Sequence, residues 1–293
     1  MLILSPQEIE SRKQAIILKC NNEVASYLGA GKELFEIFFP SATIKAVDNG
    51  KSGSGKSGNA EAVISYKIKH IQTWVTEVLT NALAQSLSEE PLDLIPAPMK
   101  LPQVLGTSVI ASLVEMFTTG KDLADNDYYF ISDVSGALSI DPSVAKKMID
   151  QANYHIRKEF FDTLTHYLDD EQSMQCAILL IKAIRADEEV HPAEFKYIEN
   201  ISQLLKNDQA KIELADELAE SGMPKVFLNA EFALYMFKYL TEIVMCDGEY
   251  DARESEFLQK VGNAFGYDKN KQDETIQPVA GSLMVKAALF PRA

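Results

Sequence analysis

The chain is poor in basic residues, in cysteine and in long apolar stretches, and each shortage excludes a class of protein. It has 28 Lys and Arg against 43 Asp and Glu, a net charge of −15, so phosphate is repelled and nucleic acid is not an expected partner. Its 3 cysteines form no Cys-x-x-Cys pair, which argues against a zinc knuckle or a redox pair. It has no run of about 18 apolar residues that would span a membrane and no basic leader typical of a signal peptide, so we expect a cytoplasmic location.

The negative charge is concentrated in the C-terminal two-thirds of the chain. Residues 1–105 contain 11 acids and 10 bases, whereas residues 106–293 contain 32 acids and 18 bases. Such a surface suits cations or basic protein partners, and it also suits simple solubility.

The N-terminal module, residues 1–105, is predicted to be mostly helical. Its motifs do not identify a known type of domain. Ser5-Pro6-Gln7-Glu8 is a capping box with proline at the first helical position. It predicts a helix that ends near Gly29 or Gly31. Four prolines between residues 91 and 102 interrupt any helix, so we place a boundary there between the module and a C-terminal domain, residues 106–293.

Two weakly alternating segments in the module, residues 43–47 and 64–69, leave room for a small β-hairpin. The second segment has an alternative interpretation. Its isoleucines also begin an apolar stripe at helical spacing that continues to about Leu87 and includes Trp74.

Between these segments, Gly50–Ser57 matches the P-loop expression GxxxxGK[ST]. In a P-loop, Lys56 would contact the phosphates and Ser57 would hold magnesium. That motif must lead from a strand directly into a helix, and Gly58-Asn59 is a poor first helical turn. We therefore expect a loop over Gly50–Asn59 and no bound nucleotide, with a P-loop nucleotide hydrolase as an alternative.

Three stretches of the C-terminal domain align without gaps: residues 112–141, 179–208 and 239–268. Each has two apolar stripes at helical spacing around a short acidic loop, and each ends in aspartate. The turns are predicted at 118–124, 185–191 and 245–251. The matched apolar residues are Leu113, Leu180 and Leu240 in the entering helix, Leu123, Val190 and Tyr250 in the loop, and Ile131, Ile198 and Leu258 in the exiting helix.

The acidic loops of the second and third repeats are candidate cation sites, because converging carboxylate oxygens suit a hard cation such as Ca²⁺. The closing glutamate comes too early for an EF-hand, which needs a twelve-residue loop. The same spacing also forms a capping box, so capping alone and capping combined with cation binding both stay open. The candidate ligands are Asp247, Glu249, Asp251 and Glu254 in the third repeat, with Asp187 and Glu194 as a weaker pair in the second.

The repeated pattern resembles the TerB-like family, which is named for tellurite resistance. The resemblance covers about residues 106–270 and rests on Ala186-Asp187-Glu188-Glu189-Val190 with Glu194, and on Cys246-Asp247-Gly248-Glu249-Tyr250 with Glu254. It implies an all-helical fold, acidic clusters with a role in metal binding, and no established enzymatic activity. The first repeat departs from the pattern, with Gly120 in place of the first acid.

Other reactive side chains form no catalytic motif. The histidines at 70, 155, 166 and 191 are scattered along the chain, which favours surface or packing roles. The aromatic-rich stretch from Phe227 to Tyr239 is interpreted as core packing, with a groove for a partner as the alternative.

The sequence therefore predicts a mainly α protein, a bundle of repeated helix-loop-helix units behind the mostly helical N-terminal module. The expected function is that of a non-enzymatic stress-response or scaffold protein with an acidic helical domain, which binds a divalent cation if its acidic loops do more than cap helices. We expect this protein to bind protein partners, and we expect no transmembrane segment in its chain. Besides the nucleotide hydrolase, a second alternative is a structural or assembly protein that uses the bundle only for protein–protein packing.

Overall fold

The computed structural model describes residues 4–29, 56–88, 90–92, 96–186, 195–247 and 250–290. Every regular element in these residues is a helix, which confirms the mainly α prediction. The helices are α1 (Pro6–Gly29), α2 (Lys56–Ser86), α3 (Gln103–Thr118), α4 (Asp125–Ala137), α5 (Pro142–Tyr167), α6 (Asp170–Ile184), α7 (Phe195–Leu204), α8 (Gln209–Ala219), α9 (Ala230–Val244), α10 (Ala252–Ala264) and α11 (Lys269–Leu289).

Helix α1 begins as its capping box predicts. The Ser5 amide donates to Glu8 Oε2 at 2.8 Å, and the Glu8 amide donates to Ser5 Oγ at 3.3 Å. Residues 64–69 lie inside α2, so the second strand of the predicted hairpin is wrong and the helical interpretation holds. The decisive signal is the helical spacing of Ile71, Val75 and Val78, which are all buried. The first proposed strand, residues 43–47, lies outside the described residues.

The contacts divide the chain into two compact units, with the division between Asn153 and Tyr154, inside α5. In the N-terminal unit, helices α1 to α4 pack against one another. The indole Nε1 of Trp74 in α2 donates to the Ala97 carbonyl at 2.8 Å and ties down the proline-rich segment. The prolines thus join helices of one unit, α2 and α3. The division into modules at residues 105 and 106 stays a prediction.

The predicted repeats are present as helix, turn and helix. Leu113, Leu180 and Leu240 are fully buried at 0% exposure, as the alignment requires. Residues 119–124 join α3 to α4, and residues 245–251 join α9 to α10. The segment between α6 and α7 includes residues 187–194, which lie outside the described residues, so the predicted turn at 185–191 stays a prediction there.

Each repeat is followed by a third helix, which begins three residues after a left-handed residue at the same aligned position. Ser139, Lys206 and Gly266 have φ of 55°, 56° and 76°. The next residue then donates its amide to the carbonyl five positions earlier, at 2.9, 2.7 and 2.9 Å respectively, which is the Schellman ending of a helix. The aspartates that close the repeats then accept amide hydrogen bonds from the first turns of the third helices; they are Asp141, Asp208 and Asp268.

Two of the matched apolar positions do not behave as predicted. Ile198 is 46% exposed because α7 buries Tyr197, Ile201 and Leu204 instead, a stripe that starts one residue earlier. Tyr250 is 44% exposed, whereas its counterpart Leu123 is 5% exposed. A tyrosine has a polar end that favours water, so it does not pin the third loop into the core as leucine pins the first.

Candidate functional site

The third acidic loop contains the capping box that its sequence predicts. Asp251 precedes α10, and its Oδ1 accepts the amides of Arg253 at 2.7 Å and Glu254 at 2.9 Å. Glu254 Oε2 accepts the Asp251 amide at 2.6 Å. The bond from the Glu254 amide, with help from Arg253, lowers the pKa of Asp251. These bonds satisfy amides that a helix N-terminus otherwise leaves without acceptors.

Both oxygens of Asp251 are engaged, because Oδ2 also accepts from Arg253 Nε at 3.2 Å. A metal ion at this carboxylate would have to replace a guanidinium and compete with the cap. The geometry therefore gives Asp251 a capping role. Glu254 differs from it in being almost fully buried, at 4% exposure.

The six predicted cation ligands are only partly within the described residues. Asp247 lies in the turn after α9, and Asp251 and Glu254 lie at the start of α10. Glu249, Asp187 and Glu194 lie outside the described part of the chain. Among the residues that are described, no three His, Cys, Asp or Glu side chains are arranged to hold a metal ion.

The first repeat contains a buried acid at the position that Glu254 occupies in the third. Asp127 is 1% exposed, and its Oδ2 accepts the Ala124 amide at 2.9 Å. Lys121 Nζ forms an ion pair with the same oxygen at 2.9 Å. In the alignment, the third repeat has Gly248 where the first has Lys121. The equivalence of Asp127 and Glu254 follows from the aligned sequences, but only the structure shows that both are buried caps.

A second lysine lies close to this buried aspartate. Lys13 of α1 is 2% exposed and donates to Ser86 Oγ, at the end of α2, at 3.0 Å. Burial and the charge of Lys121 lower the pKa of Lys13, whereas burial raises the pKa of Asp127 against the effects of the Ala124 amide and the two lysines. This cluster ties α1, α2 and α4 together. Its sequence signal, a lysine on the apolar face of α1, was not recognised.

In the C-terminal unit, Arg157 joins three helices. Its Nη2 and Nε bind Glu242 Oε2 of α9 at 2.6 and 3.1 Å, and its guanidinium lies 5.2 and 5.4 Å from the ring centres of Tyr235 and Tyr239. Asn200 of α7 donates to the Tyr239 hydroxyl. This network fixes α5, α7 and α9, so it positions the helices that flank the second and third loops.

Two thiols, Cys20 and Cys176, and two histidines, His155 and His166, have structural surroundings. Burial raises the pKa of Cys20, and it raises the pKa of Cys176 to about 12. Such thiols are protonated at neutral pH and are poor nucleophiles. His155 packs edge-on against Tyr154, and His166 Nδ1 lies 2.6 Å from the Asp162 carbonyl oxygen within its own helix. His191 lies outside the described residues.

The aromatic-rich stretch is divided between the core and the surface. Met236, Phe237 and Tyr239 are buried, which confirms core packing for that part of α9. Phe227, in the segment before α9, is 78% exposed.

The P-loop-like tract runs into a helix at the point where a P-loop would. Helix α2 begins at Lys56, so the expected loop is wrong for residues 56–59. Ala60, Glu61 and Ala62 are strong helix formers and extend the helix back past Gly58. Residues 50–55 lie outside the described part of the chain. The residues that are described contain no β-strand that could precede this helix as in a P-loop.

Comparisons of the chain with protein-family models, with curated proteins and with solved structures give no match. Within the described residues, no helix combines the length and the apolar character needed to cross a membrane.

Proposed function

We propose that the protein is a non-enzymatic, cytoplasmic stress-response or scaffold protein that presents its acidic C-terminal unit to cations and to basic partners. The observation that carries this proposal is the charge of that unit. Residues 154–288 contain 25 acids and 14 bases, a net charge of −11. Most of the chain's excess charge therefore lies on one unit, where it favours positively charged ligands.

The local geometry supports a role other than catalysis. Asp251 and Glu254 cap a helix, the thiols of Cys20 and Cys176 are buried, and Arg157 is paired with Glu242. Each of these groups has a structural task. The resemblance to the TerB-like family agrees with this proposal.

The finer part of the proposal is that the third loop binds a divalent cation such as Ca²⁺. In the first repeat, the buried carboxylate of Asp127 is paired with the ammonium of Lys121. The third repeat has glycine at the position of that lysine, with Asp247 and Glu249 on either side of it. The carboxylates of Asp247, Glu249 and Glu254 would supply oxygens to the cation, with Asp187 and Glu194 as weaker contributors.

Thermal unfolding with and without millimolar calcium or magnesium tests this part. A cation that binds only the folded protein raises its melting temperature by mass action. We expect a rise in the wild type and none in Glu254→Gln, because the amide keeps a hydrogen-bond acceptor for the cap but loses the ionised oxygen. Asp127→Asn is the matched control, since the same change in the first repeat should leave the calcium effect intact. No rise in the wild type would rule out the cation and leave the packing scaffold.

One observation favours a second candidate, a P-loop nucleotide hydrolase, because α2 begins at Lys56. A phosphate at that N-terminus would gain from the helix dipole and the free amides. The all-helical described residues lack the strand that a P-loop follows, so the scaffold is favoured. Titration of the protein with ATP in a calorimeter decides between the scaffold and the nucleotide hydrolase. We expect no binding in the wild type, and micromolar binding that Lys56→Ala abolishes would establish the nucleotide site.

A further inference from the structure

Two exposed aromatic rings lie on one surface of the C-terminal unit. Tyr167, at the end of α5, is 73% exposed, and Phe227 is 78% exposed. Gln172 links their two segments, because its Nε2 donates to the Phe227 carbonyl at 3.1 Å while its Oε1 accepts the Asp169 amide at 3.1 Å. The ring of Tyr167 also lies 5.6 Å from that of half-buried Phe232. We call Tyr167, Phe227 and Phe232 the aromatic surface.

The ring of Phe232 is held in place from below. Phe232 packs against the buried ring of Phe160 at 6.3 Å, and its amide donates to Asn229 Oδ1 at 2.8 Å, which caps α9. The extended segment before α9 buries Pro224 and Val226 while Phe227 faces outward. Rigid aromatic rings that lose little freedom on binding are typical anchors of protein interfaces.

Three acidic residues are close in sequence to residues of this surface or to Gln172. Asp169 follows Tyr167 by two positions, Glu171 adjoins Gln172, and Glu231 adjoins Phe232, and all three are exposed. Lys225 is a base in the segment before α9, and Lys206 and Lys211 pair with Asp170, which lies between Asp169 and Glu171 in the sequence. The negative charge favours one kind of binding partner over others. It would repel a second copy of this chain, which has a net charge of −15, and it would repel an anionic membrane. It would attract a basic partner.

We infer that the aromatic surface binds an amphipathic, lysine- or arginine-rich peptide segment of a partner protein, with apolar side chains against the rings and basic ones against the three acids. This inference names the partner class for the proposed scaffold function and rests on it. It does not depend on cation binding, which involves the third loop and Glu254.

The test uses the full-length protein and a fluorescent amphipathic helical peptide of about 16 residues, with leucine on one face and lysine on the other. A matched peptide has glutamate in place of every lysine. Fluorescence anisotropy should show that the lysine peptide binds at least about tenfold more tightly than the glutamate peptide, a difference of about 1.4 kcal/mol. Added salt should reduce this preference.

Variants then locate the binding. Phe227→Ser and Tyr167→Ser remove exposed rings and should each weaken lysine-peptide binding about tenfold or more. Met284→Ser is the matched control, because Met284 is also exposed, at 74%, on the same unit but outside the aromatic surface; its affinity should stay unchanged. Glu171→Lys combined with Glu231→Lys should abolish the preference for the lysine peptide.

Several outcomes would overturn the inference. They are no binding of the lysine peptide, equal binding of the two peptides, or full affinity in Phe227→Ser. A dimer in sedimentation that Phe227→Ser dissociates would instead identify a second copy as the occupant. Binding to phosphatidylserine vesicles that requires Phe227 would identify a membrane. A calcium effect on melting without peptide binding would retain the proposed function and reject this surface.

Discussion

Replacement of Gly266 by alanine tests whether the left-handed backbone conformation, which ends a helix in all three repeats, contributes to stability. Gly266 follows α10 with φ of 76°, and a Cβ added there would meet nothing within 4 Å. The substitution therefore causes no clash and removes no contact. Its cost is that of holding an L-residue in the left-handed region, about 1–2 kcal/mol. Alanine also restricts the unfolded chain, which returns about 0.4–1 kcal/mol, so the net loss should be about 1 kcal/mol.

Gly222→Ala supplies a control in the same unit. A Cβ at Gly222 also meets nothing within 4 Å, but its φ lies outside the left-handed region. We expect this variant to be stabilised by about 0.4–1 kcal/mol through the unfolded state. Urea unfolding followed by circular dichroism at 222 nm measures both variants against the wild type.

The aligned lysine provides the opposite test. Lys206 has φ of 56°, so Lys206→Gly should relieve a strain of about 1–2 kcal/mol, less the entropy that glycine adds to the unfolded chain. If Gly266→Ala were as stable as Gly222→Ala, or if Lys206→Gly were clearly destabilised, the shared left-handed ending would be refuted as a determinant of the repeats.

Three further experiments test the environments of Asp127, Asp251 and Cys176. Asp127→Asn should lower the free energy of unfolding by about 3 kcal/mol, because it removes the buried carboxylate that pairs with Lys121 and whose charge favours the buried Lys13 ammonium; an unchanged urea midpoint would contradict the buried cluster. Asp251→Ala should destabilise the protein at neutral pH, and the loss should shrink as the pH falls through the lowered pKa of Asp251, since the ionised cap exists only above it; a difference that grows in acid would reverse this sign. Cys176, with a pKa of about 12, should react with Ellman's reagent only after denaturant is added, and rapid reaction in buffer would show that it is accessible.

The apolar pattern was sufficient to predict the repeated helices. Leucine at 113, 180 and 240 has one role in each repeat, and burial at helical spacing does not depend on distant parts of the chain. The pattern was insufficient at Ile198, because the neighbouring Tyr197 is the buried residue at the start of α7 while Ile201 and Leu205 are buried as the spacing predicts. Local spacing cannot show which of two adjacent apolar residues the rest of the core accepts.

The third helix of each repeat was predicted only in part. The sequence predicts aspartate at the end of each repeat, at 141, 208 and 268, and the structure shows that each of them accepts an amide hydrogen bond from a further helix. The left-handed residue before them is glycine in the third repeat alone. Serine at 139 and lysine at 206 have the same conformation without any sequence signal for it, since tertiary packing imposes it.

The candidate site was predicted as a set of acids whose roles the sequence left open. Geometry assigns Asp251 to the cap through two amides and one guanidinium. The buried lysine at 13 and the exposed phenylalanine at 227 were not predicted, because each contradicts the usual burial of its residue type. Such exceptions depend on the partners that folding brings together.

The most direct test of the proposed cation-binding scaffold is the melting temperature of the full-length protein with and without millimolar Ca²⁺. A calcium concentration one hundred times the dissociation constant would add about 2.7 kcal/mol of stability. We predict a rise of several degrees in the wild type and in Asp127→Asn, and no rise in Glu254→Gln. Equal melting temperatures of the wild type with and without calcium would contradict cation binding at the third loop.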